Sequence, residues 1–119
     1  MNYKALYGKV MKIDPKVRFA TICNMNGKIM YSGHRKGVKN LLNRKESRMS
    51  LQQAVRIWQM RNKLAPKIGR GKYVLAEYGR IKRITVPLGK RHLLYVSTSV
   101  TANHTRIIDR IRKLTSRVR

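Results

Sequence analysis

The chemistry-bearing side chains of this 119-residue chain are lopsided: 29 Lys and Arg stand against 4 Asp and Glu, a formal net charge of +25. The acids are Asp14, Glu46, Glu77 and Asp109, far apart and in no shared motif. Paired-carboxylate catalysis, or a metal site built on oxygen ligands, would need a long-range coincidence among these four. His34, His92 and His104 lack metal-ligand spacing, and Cys23 has no second cysteine with which to complete a zinc set. Cys23 lies within an apolar run and reads as a small buried hydrophobe rather than a reactive thiol. Gly69-Arg70-Gly71-Lys72 hints at a phosphate loop, but the glycine spacing is wrong and Tyr73 stands where Ser or Thr would hold magnesium. The expectation is a non-enzymatic protein with neither metal nor cofactor.

The cations are the remaining candidates. An imbalance of this size repels itself in a compact state unless a polyanion neutralises it. The charge runs from Lys4 to Arg119 with no separate basic tail. Arg can clamp a phosphate with two donors while Lys acts as a point charge. Three sets of candidate phosphate contacts follow. The first is Arg106, Arg110, Arg112, Lys113, Arg117 and Arg119; the second is Arg35, Lys36, Lys39, Arg44, Lys45 and Arg48; the third is Arg56, Lys63, Lys67, Arg70 and Lys72. In the first set Arg106, Arg110, Lys113 and Arg117 recur at helical intervals. With only Asp109 as an acidic partner on that helix, the face is repulsive by itself and reads as a binding surface.

A hydrophobic share of 42% is enough to build a core, so the charge does not imply disorder, and the length fits one domain over 1–119. No apolar run is long enough for a membrane span or a signal peptide, so the expected location is cytoplasmic and nucleoid-associated. Tyr3, Leu6, Tyr7, Val10 and Ile13 keep helical spacing, with Asn2 as cap and Asp14-Pro15 as stop. Val17 to Met25 and Lys28 to Tyr31 read as strands joined at Asn26-Gly27, a two-residue hairpin turn in which both residues take positive φ. Gly33 to Met49 is a basic connection with a short helical turn at Val38, Leu41 and Leu42. Ser50 opens a helix with Gln53 completing a capping box, and Pro66 and Gly69 end it. Its apolar side is Leu51, Ala54, Val55, Trp58 and Ala65, flanked by Ile57 and Leu64; Trp58 is assigned to core or dimer packing ahead of base stacking. Three strands follow at Tyr73 to Tyr78, Ile81 to Leu88 and Leu93 to Val100, with Pro87 marking an edge or a strand terminus. A last helix begins near Thr101 to Asn103, with an apolar stripe of Ile107, Ile111, Leu114 and Val118 and with Ile108 alongside.

The resulting order α-β-β-α-β-β-β-α makes an α+β domain with a five-stranded antiparallel sheet. That order resembles the roadblock (dynein light chain) domain of the profilin-like class. The run Phe19-Ala20-Thr21-Ile22-Cys23-Asn24-Met25-Asn26-Gly27-Lys28-Ile29-Met30-Tyr31-Ser32-Gly33 looks like its first two strands and turn, and Leu93-Leu94-Tyr95-Val96-Ser97-Thr98 like its last strand. From about Arg18 to Leu114 the chain looks like small uncharacterised archaeal proteins of this type. The resemblance implies a homodimer through the long helix and neighbouring sheet edge, with Leu51 to Leu64 and Lys72 to Tyr78 near the two-fold axis. It also implies scaffolding or regulation of small GTPases, from whose usual partners this chain departs in its charge.

Charge puts nucleic-acid binding first, DNA favoured over RNA: a largely sequence-nonspecific, nucleoid- or chromatin-type dimer working through phosphate contacts, since no base-reading motif is present. The alternative is a roadblock-type scaffold for an acidic protein such as a small GTPase. The third reading is a ribosome- or RNA-associated protein. No helix couples its basic face to exposed Trp or Phe, so membrane insertion is not expected.

Overall fold

The computed structural model describes residues 1–116 and sets one five-stranded antiparallel sheet between two layers of helix, in the order expected from the sequence. The elements are α1 (Tyr3–Met11), β1 (Val17–Asn24), β2 (Ile29–His34), α2 (Arg44–Ile68), β3 (Val74–Glu77), β4 (Ile81–Leu88), β5 (His92–Ser99) and α3 (His104–Thr115). The strands lie in the order β2-β1-β5-β4-β3, so β5 is central and β2 and β3 are edges. Alternate residues along each strand serve opposite faces. On one face Ala20, Ile22, Ile84, Val86, Leu88, Leu94 and Val96 pack against Leu6 and Val10 of α1 and Ile107, Ile108 and Ile111 of α3. On the other, Cys23, Leu93 and Tyr95 pack against Leu51, Val55 and Trp58 of α2. Cys23 is fully buried, as its apolar setting implies.

Caps explain where the helices begin. Asn2 Oδ1 accepts the Ala5 N–H at 3.0 Å to open α1, and Asn103 Oδ1 accepts the Arg106 N–H at 3.2 Å to open α3. The start of α2 differs from the expectation at Ser50. A reciprocal capping box joins Asn43 and Glu46, with Asn43 Oδ1 accepting the Glu46 N–H at 2.8 Å and Glu46 Oε1 accepting the Asn43 N–H at 3.0 Å. The helix therefore starts at Arg44, and Arg44, Lys45 and Arg48 ride its first turns instead of a connecting loop. Nor does Pro66 end it. Pro66 lies in the last turn with its ring exposed, and Gly69 at φ 90° closes the helix.

The first hairpin forms where expected but through a different turn. Among the described residues Gly27 (φ 85°) has positive φ and Asn26 does not. The Gly27 N–H bonds the Asn24 carbonyl at 3.0 Å, and the Asn24 N–H bonds the Lys28 carbonyl at 2.9 Å. Asn24 Oδ1 also accepts from the Asn26 and Lys28 N–H groups, both at 2.9 Å. This is a three-residue loop with a left-handed glycine, not the two-residue turn; the Asn24 side chain holds the backbone in it. Strand β2 then runs on to His34, past Gly33, where a Cβ would lie 2.5 Å from Tyr7 Oη. Pro87 sits near the end of β4, opposite Leu93, at a level where β3 has already stopped, so its missing N–H breaks no ladder on that side.

Candidate functional site

The three cationic sets fare differently. In the first, Arg106, Arg110, Arg112 and Lys113 are exposed on the outer face of α3; Arg117 and Arg119 lie outside the described residues, as does Val118. Ile107, Ile108, Ile111 and Thr115 form the buried face, with Leu114 at its margin. Arg106 pairs with Asp14 at 3.9 Å and Lys113 with Asp109 at 3.2 Å. A cleft of about 550 Å³ brings Arg112 and Lys113 together with Arg70 and Lys72 of the third set. Arg112 also lies 5.6 Å over the Tyr73 ring, and Arg70 Nη2 donates to the Gly89 carbonyl at 2.9 Å. Arg56, Lys63 and Lys67 are exposed along α2, and Lys36, Lys39 and Lys45 are exposed before it and on its first turn.

Arg35 is spent inside the fold. Its Nη2 donates to the Met11 carbonyl at 2.6 Å and the Asp14 carbonyl at 3.1 Å, and its Nε donates to the Val17 carbonyl at 2.9 Å. A cation here satisfies the free carbonyls at the end of α1. The acids are equally committed. Glu46 caps α2, Asp14 Oδ1 accepts the Lys16 N–H at 2.8 Å, and Glu77 lies 3.9 Å from the buried Lys82 ammonium. Lys82 further donates to the Ala102 carbonyl at 3.0 Å and meets His104 Nδ1 at 2.8 Å. Among the described residues no three of His, Cys, Asp and Glu come together where they could hold a metal, and no helix is long and apolar enough to cross a membrane.

Two arrangements of α2 go beyond the three cationic sets. Trp58 is buried at the sheet, its Nε1 donating to Thr85 Oγ1 at 2.8 Å, which is the packing role expected of it. Round the helix from it, Ile57, Met60, Leu64 and Ile68 form an exposed apolar stripe, 39%, 66%, 55% and 79% accessible. Residues 69–73 lead from this stripe straight into β3, whose outer edge has no partner strand among the described residues, and Tyr73 and Tyr78 at its two ends are exposed as well. Apolar patches and open edges of this kind are normally covered in soluble proteins.

The other arrangement lies at the opposite end of α2. The first turns, Arg44 to Met49, are exposed all round and overhang the sheet. Beneath them is a cleft of about 790 Å³, walled by Leu41 and Leu42 and floored by Thr21, Tyr95 and Ser97. Tyr95 Oη and Ser50 Oγ are 2.8 Å apart, and Arg83 Nη1 donates to the same Ser50 oxygen at 2.6 Å. Burial raises the Tyr95 phenol above its ordinary range, only partly countered by the Ser50 hydrogen bond and the Arg83 charge, so it stays protonated and able to donate. None of Arg83, Ser97 or Tyr95 is in the cationic sets above. The available signal was period two in β4 and β5, which puts Arg83 and Ser97 on the Thr85 and Tyr95 side.

A five-stranded antiparallel sheet with α1 and α3 on one face and α2 on the other is a profilin-like domain. More particularly, the fold is that of roadblock/LC7 domains. A roadblock/LC7 domain from Streptomyces avermitilis matches with TM-score 0.74 at 12% identity, over 98% of this chain and 93% of that one. A structure of MglB in a tetrameric arrangement matches with TM-score 0.77 at 11% identity, over 94% of this chain and 81% of that one. A Schizosaccharomyces pombe profilin matches with TM-score 0.67 at 13% identity, over 97% and 94%. No protein-family model matches the sequence, and no curated protein matches it. The likeness is one of fold.

Proposed function

We propose that this chain is a non-enzymatic, self-associating scaffold or regulator of the roadblock type, which pairs through α2 and the β3 edge and binds an acidic protein. The exposed stripe Ile57-Met60-Leu64-Ile68 leading into an unpaired edge strand is the observation that carries it. Covering both features with a second copy removes apolar surface from water and satisfies the β3 backbone groups in one step. The tetrameric arrangement of the MglB neighbour adds support for assembly as a habit of this fold. The net charge of +25, with only four acids to offset 29 cations, favours an acidic partner, and small GTPases are the class that the family resemblance implies. The test is purification of the tagged chain with and without DNase and RNase, paired with sedimentation velocity. A stoichiometric protein partner that survives nuclease and is released by salt, on a dimer, supports the reading. A monomer whose companions all vanish with nuclease overturns it.

Sequence-nonspecific nucleic-acid binding is the second reading. The outward rows of α3, with Arg106, Arg110, Arg112 and Lys113 exposed, favour it. The fold likeness strengthens the scaffold reading and adds nothing to this one.

A further inference from the structure

We infer that the cleft beneath the first turns of α2 is a binding site for a small organic anion, a phosphate or carboxylate head carried on an apolar body. Two unpartnered buried polar atoms mark the place for the head: Ser97 Oγ, on a residue with no exposed surface, and Arg83 Nε. Both residues line the cleft. Buried polar groups in folded proteins are nearly always paired, so two orphans on paired residues lining one cleft are an uncommon coincidence. The Arg83 guanidinium is held in place rather than free. It lies 5.2 Å over the Tyr78 ring and 5.6 Å over the Tyr95 ring, with Nη1 anchored on Ser50 Oγ. The positive charge of this half-buried guanidinium has no counter-charge in the cleft, since no Asp or Glu lines it. An acceptor-only anion supplies what is missing, taking hydrogen bonds from Arg83 Nε and the Ser97 hydroxyl together.

The rest of the cleft selects for an organic body. Phe19 stacks on Tyr95 with centroids 6.1 Å apart and planes 20° from parallel, and Leu42 and Leu51 complete an apolar wall. A volume of about 790 Å³ is within the range of small-molecule sites and far exceeds the need of an inorganic anion. At the rim Arg44 and Arg48 from the overhanging turns add positive charge that draws an anion in. The site does not depend on self-association, since it lies at the other end of α2 from the exposed stripe.

The experiment titrates the full chain with 1-naphthyl phosphate, 1-naphthoate, inorganic phosphate and 1-naphthol at 0.15 M NaCl, read by naphthyl fluorescence and by NMR. One naphthyl anion per chain is expected, with shifts concentrated at Phe19, Tyr95 and Ser97. Inorganic phosphate and 1-naphthol should bind at least tenfold more weakly, and the tighter of the two naphthyl anions identifies the head group. Arg83→Met is expected to weaken binding at least tenfold and Ser97→Ala about threefold or more, while Arg110→Met, with the same loss of charge on α3, changes it less than twofold. Ser97→Ala removes a hydroxyl that has no partner, so it keeps the test readable if Arg83→Met does not fold. Shifts spread over the basic surface, equal weakening by Arg110→Met, or an unchanged affinity in Ser97→Ala would each overturn the assignment.

Discussion

Replacing Leu64 by Gln tests the proposed assembly with little disturbance to the monomer. Leu64 is 55% exposed, on a helix where Gln has a propensity close to that of Leu, so folding stability should change by less than about 0.5 kcal/mol. Full burial of a Leu side chain is worth about 1.5–3 kcal/mol, so covering the 55% still open contributes about 0.8–1.7 kcal/mol in each copy. Two-fold symmetry counts the change twice, giving about 1.6–3.3 kcal/mol, or about a 15- to 250-fold rise in dimer Kd. The Gln amide, if trapped without a partner, adds to this loss. Sedimentation velocity over a concentration series reads the Kd, and thermal melts confirm the fold. The double variant Met60→Gln, Leu64→Gln should be monomeric throughout the series, because Met60 is 66% exposed on the same stripe. Salt supplies an internal control: two chains of +25 repel, so added NaCl tightens the wild-type dimer. A Leu64→Gln variant that melts normally and self-associates within threefold of wild type would refute the reasoning.

Further expectations follow from the same geometry. If α3 also carries nucleic acid, duplex affinity falls with a log–log salt slope of about −0.9 per phosphate neutralised, and the triple reversal Arg106→Glu, Arg110→Glu, Lys113→Glu weakens all sequences alike; fluorescence anisotropy with two unrelated duplexes measures both, and a flat salt response removes the mechanism. Gly71→Ala places a Cβ 2.6 Å from Trp58 Cζ3, against a ring pinned by its bond to Thr85, and urea unfolding should show a loss of about 1–3 kcal/mol. Burial pushes the Cys23 thiol from 9.0 up to about 11, so the folded chain keeps a proton that the unfolded chain releases. Stability from this thiol is therefore constant below pH 9 and declines between pH 9 and 11, by up to about 1.4 kcal/mol per pH unit, a slope absent from the difference curve if Cys23→Ala behaves like wild type. The same burial should make Cys23 unreactive to a thiol reagent until the protein unfolds.

Where a local rule acts alone, the sequence reads true. The period of Ile81 to Leu88 marks β4 to the residue, and Ile107 and Ile111 mark the inner face of α3. Errors arise where two rules compete for one segment. Asn43 with Glu46 and Ser50 with Gln53 are both capping-box patterns seven residues apart, and no apolar residue from 43 to 48 marks a helix face beside the earlier one. The outer pattern won because the helix overhangs the sheet and needs no buried face there. Asn26-Gly27 satisfies a two-residue turn on paper, but Asn24 two positions earlier binds the loop from within. The cleft was least legible of all. Arg83 and Ser97 belong to strands whose other face is core, and their convergence with Ser50 depends on sheet register and on α2 standing over it. The α2 stripe is hard to read for a related reason: by spacing Ile57 and Leu64 flank the buried face, and their exposure follows from how the helix sits about the buried Trp58.

With Asp14, Glu46, Glu77 and Asp109 each beside a cation or a backbone N–H of its own chain, the net charge of +25 has a consequence for experiment. A few-fold change in ionic strength rescales the molecule's surface potential everywhere at once. Under the proposed function, a change of salt concentration in the assay would drive self-association and the binding of an acidic partner in opposite directions.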